Sequence, residues 1–148
     1  MPNTNNPQDP SNLGIPVYQF SAAPPESKRL VYNYKTTQDV DPGWTLDGLA
    51  FYAFPSPQSG VVPVYQFYND SSGYWKNMLS LSTGQGEGWK LIGIPFYVYA
   101  DNKSQCGLAV YQFSTDDLRF YYTTNDSGIF GPGWNFNGAV FYLSWYPH

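Results

Sequence analysis

Val17-Tyr18-Gln19-Phe20 is the stretch of sequence that decides the fold, because it occurs three times. It returns as Val64-Tyr65-Gln66-Phe67 and as Val110-Tyr111-Gln112-Phe113, at intervals of roughly 46 residues that indicate an internal structural repeat. Val, Tyr and Phe are enriched in β-strands. The tetrapeptide therefore predicts the same strand three times over.

A second motif, G-W-x-x-x-G-x-x-F-Y, follows each copy of the first, at residues 43–52, 88–97 and 133–142. A Gly near the middle of an apolar strand is typical of a bend or bulge, which would let the segment serve as two shorter strands. A weaker segment rich in Tyr and Thr lies between the two motifs at 31–37 and 120–124, and it has drifted in the second copy, at 78–83. Each repeat is thus predicted to hold three or four strands.

Three such repeats, at about 14–60, 61–106 and 107–148, predict one all-β domain at 13–148 with pseudo-threefold symmetry. A β-trefoil is the first choice, because sheets with many edges usually close on themselves. A three-bladed propeller-like ring or a β-prism would satisfy the same sequence. Helix is expected to be minor, since no long stretch has apolar residues at helical spacing. The polar residues 1–12, rich in Pro and Asn, are predicted to form a flexible arm.

The third strand of each repeat has two different faces. Side chains at alternate positions share a face, so Trp44 and Leu46 lie with their apolar counterparts Trp89, Leu91, Trp134 and Phe136, and this face is predicted to point to the core. The other face carries Asp47 in the first copy and differs in the other two. Such variation is expected of solvent-facing or ligand-specific positions.

Charge and cysteine content exclude several classes of protein. The formal net charge is -4 and the seven Lys and Arg residues are scattered, so there is no basic surface for nucleic acid. No apolar run is long enough to span a membrane. Cys106 is the only cysteine, so an intrachain disulfide is impossible. Residues 1–12 lack the pattern of a secretory signal, which fits a cytoplasmic or non-classically released protein or the mature part of a secreted one.

Catalytic chemistry finds little support in the sequence. His148 is the only histidine and stands last in the chain, so Ser-His, Cys-His and multi-histidine arrangements are excluded. The adjacent Asp116 and Asp117 are interpreted as a solvated loop, because glycosidase carboxylates converge from separate strands. No loop has the spacing of calcium ligands. We therefore expect a protein that is not an enzyme and needs neither metal nor cofactor.

Sugar binding fits the composition better. Aromatic faces cover the apolar side of a pyranose ring, while Asp, Asn and Gln satisfy its hydroxyls. Threefold duplication would link weak sites into a multivalent protein. Gln19, Gln66 and Gln112 are interpreted chiefly as structural hydrogen-bonding groups, and the three repeated Trp residues chiefly as core. The candidate ligand-binding residues are Trp44, Asp47, Tyr74, Trp75, Trp89, Trp134, Asn135, Asn137 and Trp145.

The motifs also resemble a family of uncharacterised microbial repeat modules with the consensus V-P-V-Y-R-F, H-F-Y-T-T and G-W-x-x-E-G-x-A-F-Y. The resemblance is carried by Val62-Pro63-Val64-Tyr65-Gln66-Phe67, by Tyr121-Tyr122-Thr123-Thr124 and by residues 43–52. Two departures stand out, because Gln replaces the family's Arg in every copy and the His is absent. Such modules are typically attached to secreted or surface proteins, including hydrolases, which implies a binding role, and a free-standing triplet is organised like a small microbial lectin.

The leading hypothesis is a lectin for glycans or glycoconjugates with two or three related but unequal shallow sites. The alternative is a structural or protein-interaction module whose aromatic surface docks a partner chain or a second copy, giving a homo-oligomer. A pore-forming or insecticidal toxin component is a further alternative.

Overall fold

The computed structural model describes residues 14–23, 30–69, 76–101, 108–125 and 133–143, which are all-β. They form three three-stranded antiparallel sheets, one from each repeat. None of these residues is helical, so the described part of the chain holds no helix long and apolar enough to cross a membrane. The nine strands are β1 Ile15–Ala22, β2 Val31–Lys35, β3 Thr45–Ala53, β4 Val62–Asn69, β5 Lys76–Ser80, β6 Lys90–Val98, β7 Leu108–Ser114, β8 Phe120–Thr123 and β9 Asn135–Leu143.

Each sheet has the V-Y-Q-F strand at its centre. The strand orders are β2-β1-β3, β5-β4-β6 and β8-β7-β9. Gln19 lies opposite Tyr34 on one side and Gly48 on the other, and the two other repeats pair in the same way. The first motif is thus a strand paired on both edges, which accounts for its constancy among the copies.

The Gly in the middle of the long strand produces an irregular ladder, as the sequence predicts. Gly138 has a φ of 97°, which favours glycine because a Cβ would be strained there. The register between β7 and β9 shifts between Val110 and Tyr111 and again between Gln112 and Phe113, and comparable shifts occur in the other sheets. The long strand is nevertheless one element, so each repeat holds three strands.

The core lies where the three long strands converge. Phe51, Phe96 and Phe141 contact one another edge to face, with ring centroids 5.7, 6.0 and 6.2 Å apart. Val64 and Val110 of the central strands are completely buried in the same cluster. One residue from each repeat thus meets its two counterparts, which places a pseudo-threefold axis through the phenylalanine triangle.

Tyrosine hydroxyls join neighbouring repeats in one rotational direction. Tyr34 donates from its hydroxyl to the carbonyl oxygen of Tyr122 at 3.2 Å and accepts from the Tyr122 N–H at 2.8 Å. The Tyr122 hydroxyl does the same with Leu79, at 3.0 and 2.9 Å. Burial raises the pKa of both phenols well above the ordinary value. Leu79 stands at the third equivalent position and has no hydroxyl, so this ring of bonds is open at one place.

Strand pairing between repeats is confined to the ends of the long strands. Within the described residues, two isolated bridges connect the sheets: Phe54 pairs with Tyr97, and Tyr99 with Tyr142. Their backbone N–H···O distances are 2.8 to 2.9 Å. All the ladders of the described chain, by contrast, join strands of the same repeat.

The prediction that the Trp44 and Leu46 face points to the core is wrong for the outer half of the long strands. Leu91 and Phe136 on that face are 51% and 54% exposed. The buried positions of β3, β6 and β9 begin only at the phenylalanine triangle. The three sheets converge at the C-terminal ends of the long strands, and so the alternate side chains are buried there. Before the central glycine, the long strands remain exposed to solvent.

Candidate functional site

Trp44 and Trp89 owe their position to a tight turn before the long strand of their own repeat. The turn formed by 41–44 is closed by the Trp44 N–H, which donates to the Asp41 carbonyl oxygen at 3.0 Å. Pro42 suits its second position, and Gly43, with a φ of 87°, suits the third position of a type II turn. All three Trp side chains are half-buried. This exposure is compatible with both roles that the sequence suggests for them, packing in the core and contact with a ligand.

Two of the three Trp rings are covered by the next repeat. Tyr32 of repeat 1 lies 6.2 Å from the Trp134 ring, and Phe120 of repeat 3 lies 5.9 Å from the Trp89 ring in an edge-to-face contact. The guanidinium of Arg119 also lies 5.1 Å from the Trp134 ring centre. These two Trp side chains therefore serve largely as packing between repeats.

Trp44 lies in a different environment. The position equivalent to Tyr32 and Phe120 is Asn77, and Val31 stands where repeat 3 has Arg119. No aromatic ring of the described residues contacts Trp44. A groove of about 550 Å³ opens here instead. We call it the Trp44 groove; its lining residues are Asn33, Asp41, Pro42, Trp44, Tyr68 and Asn77.

Polar groups in the Trp44 groove are held in place from outside it. Gln66 donates to Asn33 Oδ1 at 2.7 Å, and Asn77 donates from Nδ2 to the Tyr32 carbonyl oxygen at 3.4 Å. Asn33 Nδ2 and Asn77 Oδ1 have no hydrogen-bond partner among the residues that the structure describes. One amide donor and one amide acceptor thus remain for a ligand beside the indole.

A second, smaller opening lies between repeats 3 and 1. This Asp47 cleft has a volume of about 190 Å³ and is lined by Gln19, 47–50 and 121–123. Asp47 accepts hydrogen bonds from Gln19 at 2.9 Å and from Ser21 at 2.8 Å. Burial raises the pKa of Tyr121, and the negative charge of Asp47 raises it further. The cleft presents an oriented carboxylate beside a phenol.

The residues at the positions equivalent to Asp47 differ in charge and polarity, and so the clefts differ as well. Asn137 donates from Nδ2 to Gln112 at 2.8 Å and to Ser114 at 2.9 Å, which repeats the Asp47 arrangement without its charge. Ile92 occupies this position in repeat 2 and is 57% exposed. The cleft between repeats 2 and 3 is lined largely by apolar side chains, among them Leu79, Val140 and Phe141.

The glutamines of the first motif are structural, as the sequence indicates. The Tyr34 hydroxyl lies 3.1 Å from Gln19 Oε1, so its one hydrogen is shared between this oxygen and the Tyr122 carbonyl oxygen. Gln112 donates to the Tyr122 hydroxyl at 2.9 Å. Gln66 faces Leu79 and bonds Asn33 instead. Gln66 thus bonds the neighbouring repeat directly. Gln19 and Gln112 each bond a tyrosine whose hydroxyl bonds the neighbouring repeat.

Asp117 of the Asp116-Asp117 turn is held by neighbouring side chains. Asp117 accepts from Thr115 and from Arg119 Nε, the latter at 3.0 Å. Burial would raise the pKa of Asp117, but these hydrogen bonds and the guanidinium lower it overall. In the part of the chain that the structure describes, no group of three His, Cys, Asp or Glu side chains could hold a metal ion.

Comparison with known proteins supplies a family. A family model described as Domain of unknown function (DUF5648) matches residues 3–83 and 32–144. The chain belongs to this family. The two overlapping segments extend through all three sheets, which is consistent with an uncharacterised repeated module. No curated protein and no solved structure matches the chain.

Of the residues that line the Trp44 groove in this DUF5648 protein, only Trp44 was predicted from the sequence as a ligand-binding residue. Asn33, Asp41, Tyr68 and Asn77 were missed, although the drift of the second copy at 78–83 marked the altered strand. Asn135 lies exposed on β9 away from the groove. The predicted candidates Tyr74, Trp75 and Trp145 lie outside the described residues.

Proposed function

We propose that the protein is a non-catalytic carbohydrate-binding protein and that the Trp44 groove is its principal site. The observation that supports this is the difference between equivalent positions. Trp89 and Trp134 are covered by an aromatic side chain of the next repeat, whereas Trp44 faces Asn77 across an open groove. A repeated structural side chain has thus become available to a ligand in one copy.

The chemistry of the Trp44 groove suits a sugar. An indole face packs against the C–H groups of a pyranose ring, and the free amide donor of Asn33 and acceptor of Asn77 can bond neighbouring hydroxyls. Asp41 adds a carboxylate at the rim, where its side chain is 66% exposed. Aromatic stacking with a few oriented polar groups is the usual composition of a ligand site.

The Asp47 cleft is proposed as a weaker second site, which gives the unequal sites that the sequence predicts. Its volume of about 190 Å³ suits a single sugar residue, and Asp47 is oriented by two donors. Two linked sites of different affinity would provide modest avidity for branched or clustered glycans.

A glycan array followed by calorimetry tests the proposal. Trp44→Ala should weaken binding of the best saccharide by about five- to thirteenfold, since loss of an aromatic contact costs about 1–1.5 kcal/mol. Asn77→Phe places in the groove the ring that repeat 3 carries as Phe120. It should block binding because this ring covers Trp44, which itself stays unchanged, and because the Asn77 amide is lost. Phe136→Ala, which removes an exposed aromatic ring elsewhere, is the matched control. Silence across the array, or equal affinity of all variants, would reject the proposal.

We also infer that the three sheets form a three-bladed ring rather than a β-trefoil or β-prism. A trefoil barrel needs continuous pairing between repeats, whereas the ladders of the described chain stay within each repeat and two isolated bridges join the sheets. A crystal structure with long ladders between repeats would favour the trefoil instead.

A protein-interaction module is the second candidate, and one observation favours it. Leu91, Ile92 and Ile94 on β6 are 51%, 57% and 45% exposed, and β6 is an edge strand of its sheet. Apolar edges are sites of association between chains. Sedimentation of the wild type and of Ile92→Asp would show whether a homo-oligomer forms through this edge.

A further inference from the structure

We propose that the Trp44 groove selects saccharides that carry a free primary ammonium group, such as oligomers of glucosamine. This inference rests on the proposed function and names the class of sugar. It comes from a comparison of Trp44 with Trp134. At Trp134 the protein's own side chains supply an aromatic ring and a cation, which a ligand would have to supply at Trp44.

Two side chains lie against the indole of Trp134, and a carboxylate pairs with one of them. The Tyr32 ring lies 6.2 Å from it, and the Arg119 guanidinium lies 5.1 Å from its centre. Arg119 in turn pairs with Asp117 at 3.0 Å. The Trp134 environment therefore combines a flat apolar group, a cation over the indole and a carboxylate beside the cation.

At Trp44 the indole and a carboxylate are present, but the other two groups are missing. Asn77 replaces the aromatic ring and Val31 replaces the cation, while Asp41 lines the groove. A pyranose ring supplies the flat apolar face, and a ring ammonium supplies the cation. A cation over an indole is attractive, most strongly for Trp among the aromatic residues.

Two charged side chains at the Trp44 groove, Asp41 and Lys35, allow the proposal to be tested. Asp41 Oδ2 lies 3.5 Å from Lys35 Nζ, whereas Asp41 Oδ1 has no partner among the described residues. Lys35 also donates to the Asp39 carbonyl oxygen and lies 4.6 Å from the Phe20 ring centre. Asp41 therefore attracts the ligand ammonium while Lys35 repels it, and the two side chains can be changed separately.

The experiment is calorimetry of the full chain with three sugars of equal length: glucosamine trimer with protonated amines, its fully N-acetylated form, and the glucose trimer. The wild type should bind the glucosamine trimer about fivefold or more tightly than the other two. Asp41→Asn should remove this preference and leave affinity for the glucose trimer within about twofold. Lys35→Met, which keeps an apolar cover over Phe20, should tighten only the cationic ligand, by up to about fivefold, the upper range for an exposed ion pair.

The outcomes separate the two proposals. Equal or weaker binding of the glucosamine trimer overturns this inference and leaves sugar binding in place, provided that Trp44→Ala still weakens the neutral sugars. A preference that survives Asp41→Asn also overturns it. Failure of all three trimers to bind overturns this inference, whereas silence across the glycan array overturns sugar binding as well. Thermal melting of each variant verifies that the fold is retained, as expected for changes at the rim of the groove.

Discussion

Tyr122→Phe tests the inter-repeat bonding most directly. The change deletes one oxygen atom that accepts from the Leu79 N–H, donates to the Leu79 carbonyl oxygen and accepts from Gln112. Leu79 is 3% exposed, so its two backbone groups lose their partner away from water, whereas half-buried Gln112 can reach solvent. Each buried group left unpaired costs about 1–3 kcal/mol, so the two backbone groups of Leu79 give a loss of about 2–6 kcal/mol.

Urea unfolding followed by Trp fluorescence measures that loss as a lower midpoint at constant slope. For a chain of this size the melting temperature should fall by about 6–18 °C. Tyr111→Phe is the control, because the Tyr111 ring contacts Phe136 but its hydroxyl bonds no described residue. A loss below about 0.5 kcal/mol, equal to that of the control, would refute the reasoning.

Three further outcomes are expected. Leu79→Tyr should complete the ring of hydroxyl contacts and raise the unfolding free energy by about 1 kcal/mol in urea; a lower midpoint would contradict this. Phe96→Ala should cost about 3–5 kcal/mol by opening a cavity in the phenylalanine triangle, and a loss under about 1 kcal/mol would show that the rings do not form the core. The raised pKa values of Tyr34 and Tyr122 mean that both phenols ionise first in the unfolded chain, so stability is complete below about pH 10 and is lost as the pH rises beyond it; an absorbance titration in which every phenol ionises near pH 10 in the folded protein would contradict this.

The repeat and the strands could be predicted from the sequence because they depend on local patterns. Val17-Tyr18-Gln19-Phe20 and its copies are strands in the structure, and Gly138 marks an irregular register. The exposure of Phe136 could not be predicted, because alternation shows which residues share a face and not how far along the strand that face is covered.

The candidate site was predicted only in part for a related reason. Trp44 carries the same motif as Trp89 and Trp134, and nothing beside it in sequence distinguishes it. Its difference depends on Asn77, which belongs to another repeat and reaches Trp44 only because each repeat packs on the next in a fixed direction. That direction follows from the tertiary structure alone.

The bond between Tyr34 and Tyr122 has a consequence for the order of events during folding. The two residues are 88 positions apart in the chain, whereas the strands of each sheet are near neighbours in sequence. Closing a long loop costs chain entropy before the contact repays it, and topologies rich in distant contacts fold slowly. We therefore expect the three sheets to take shape first and the joining of the first to the last to be a late step in folding.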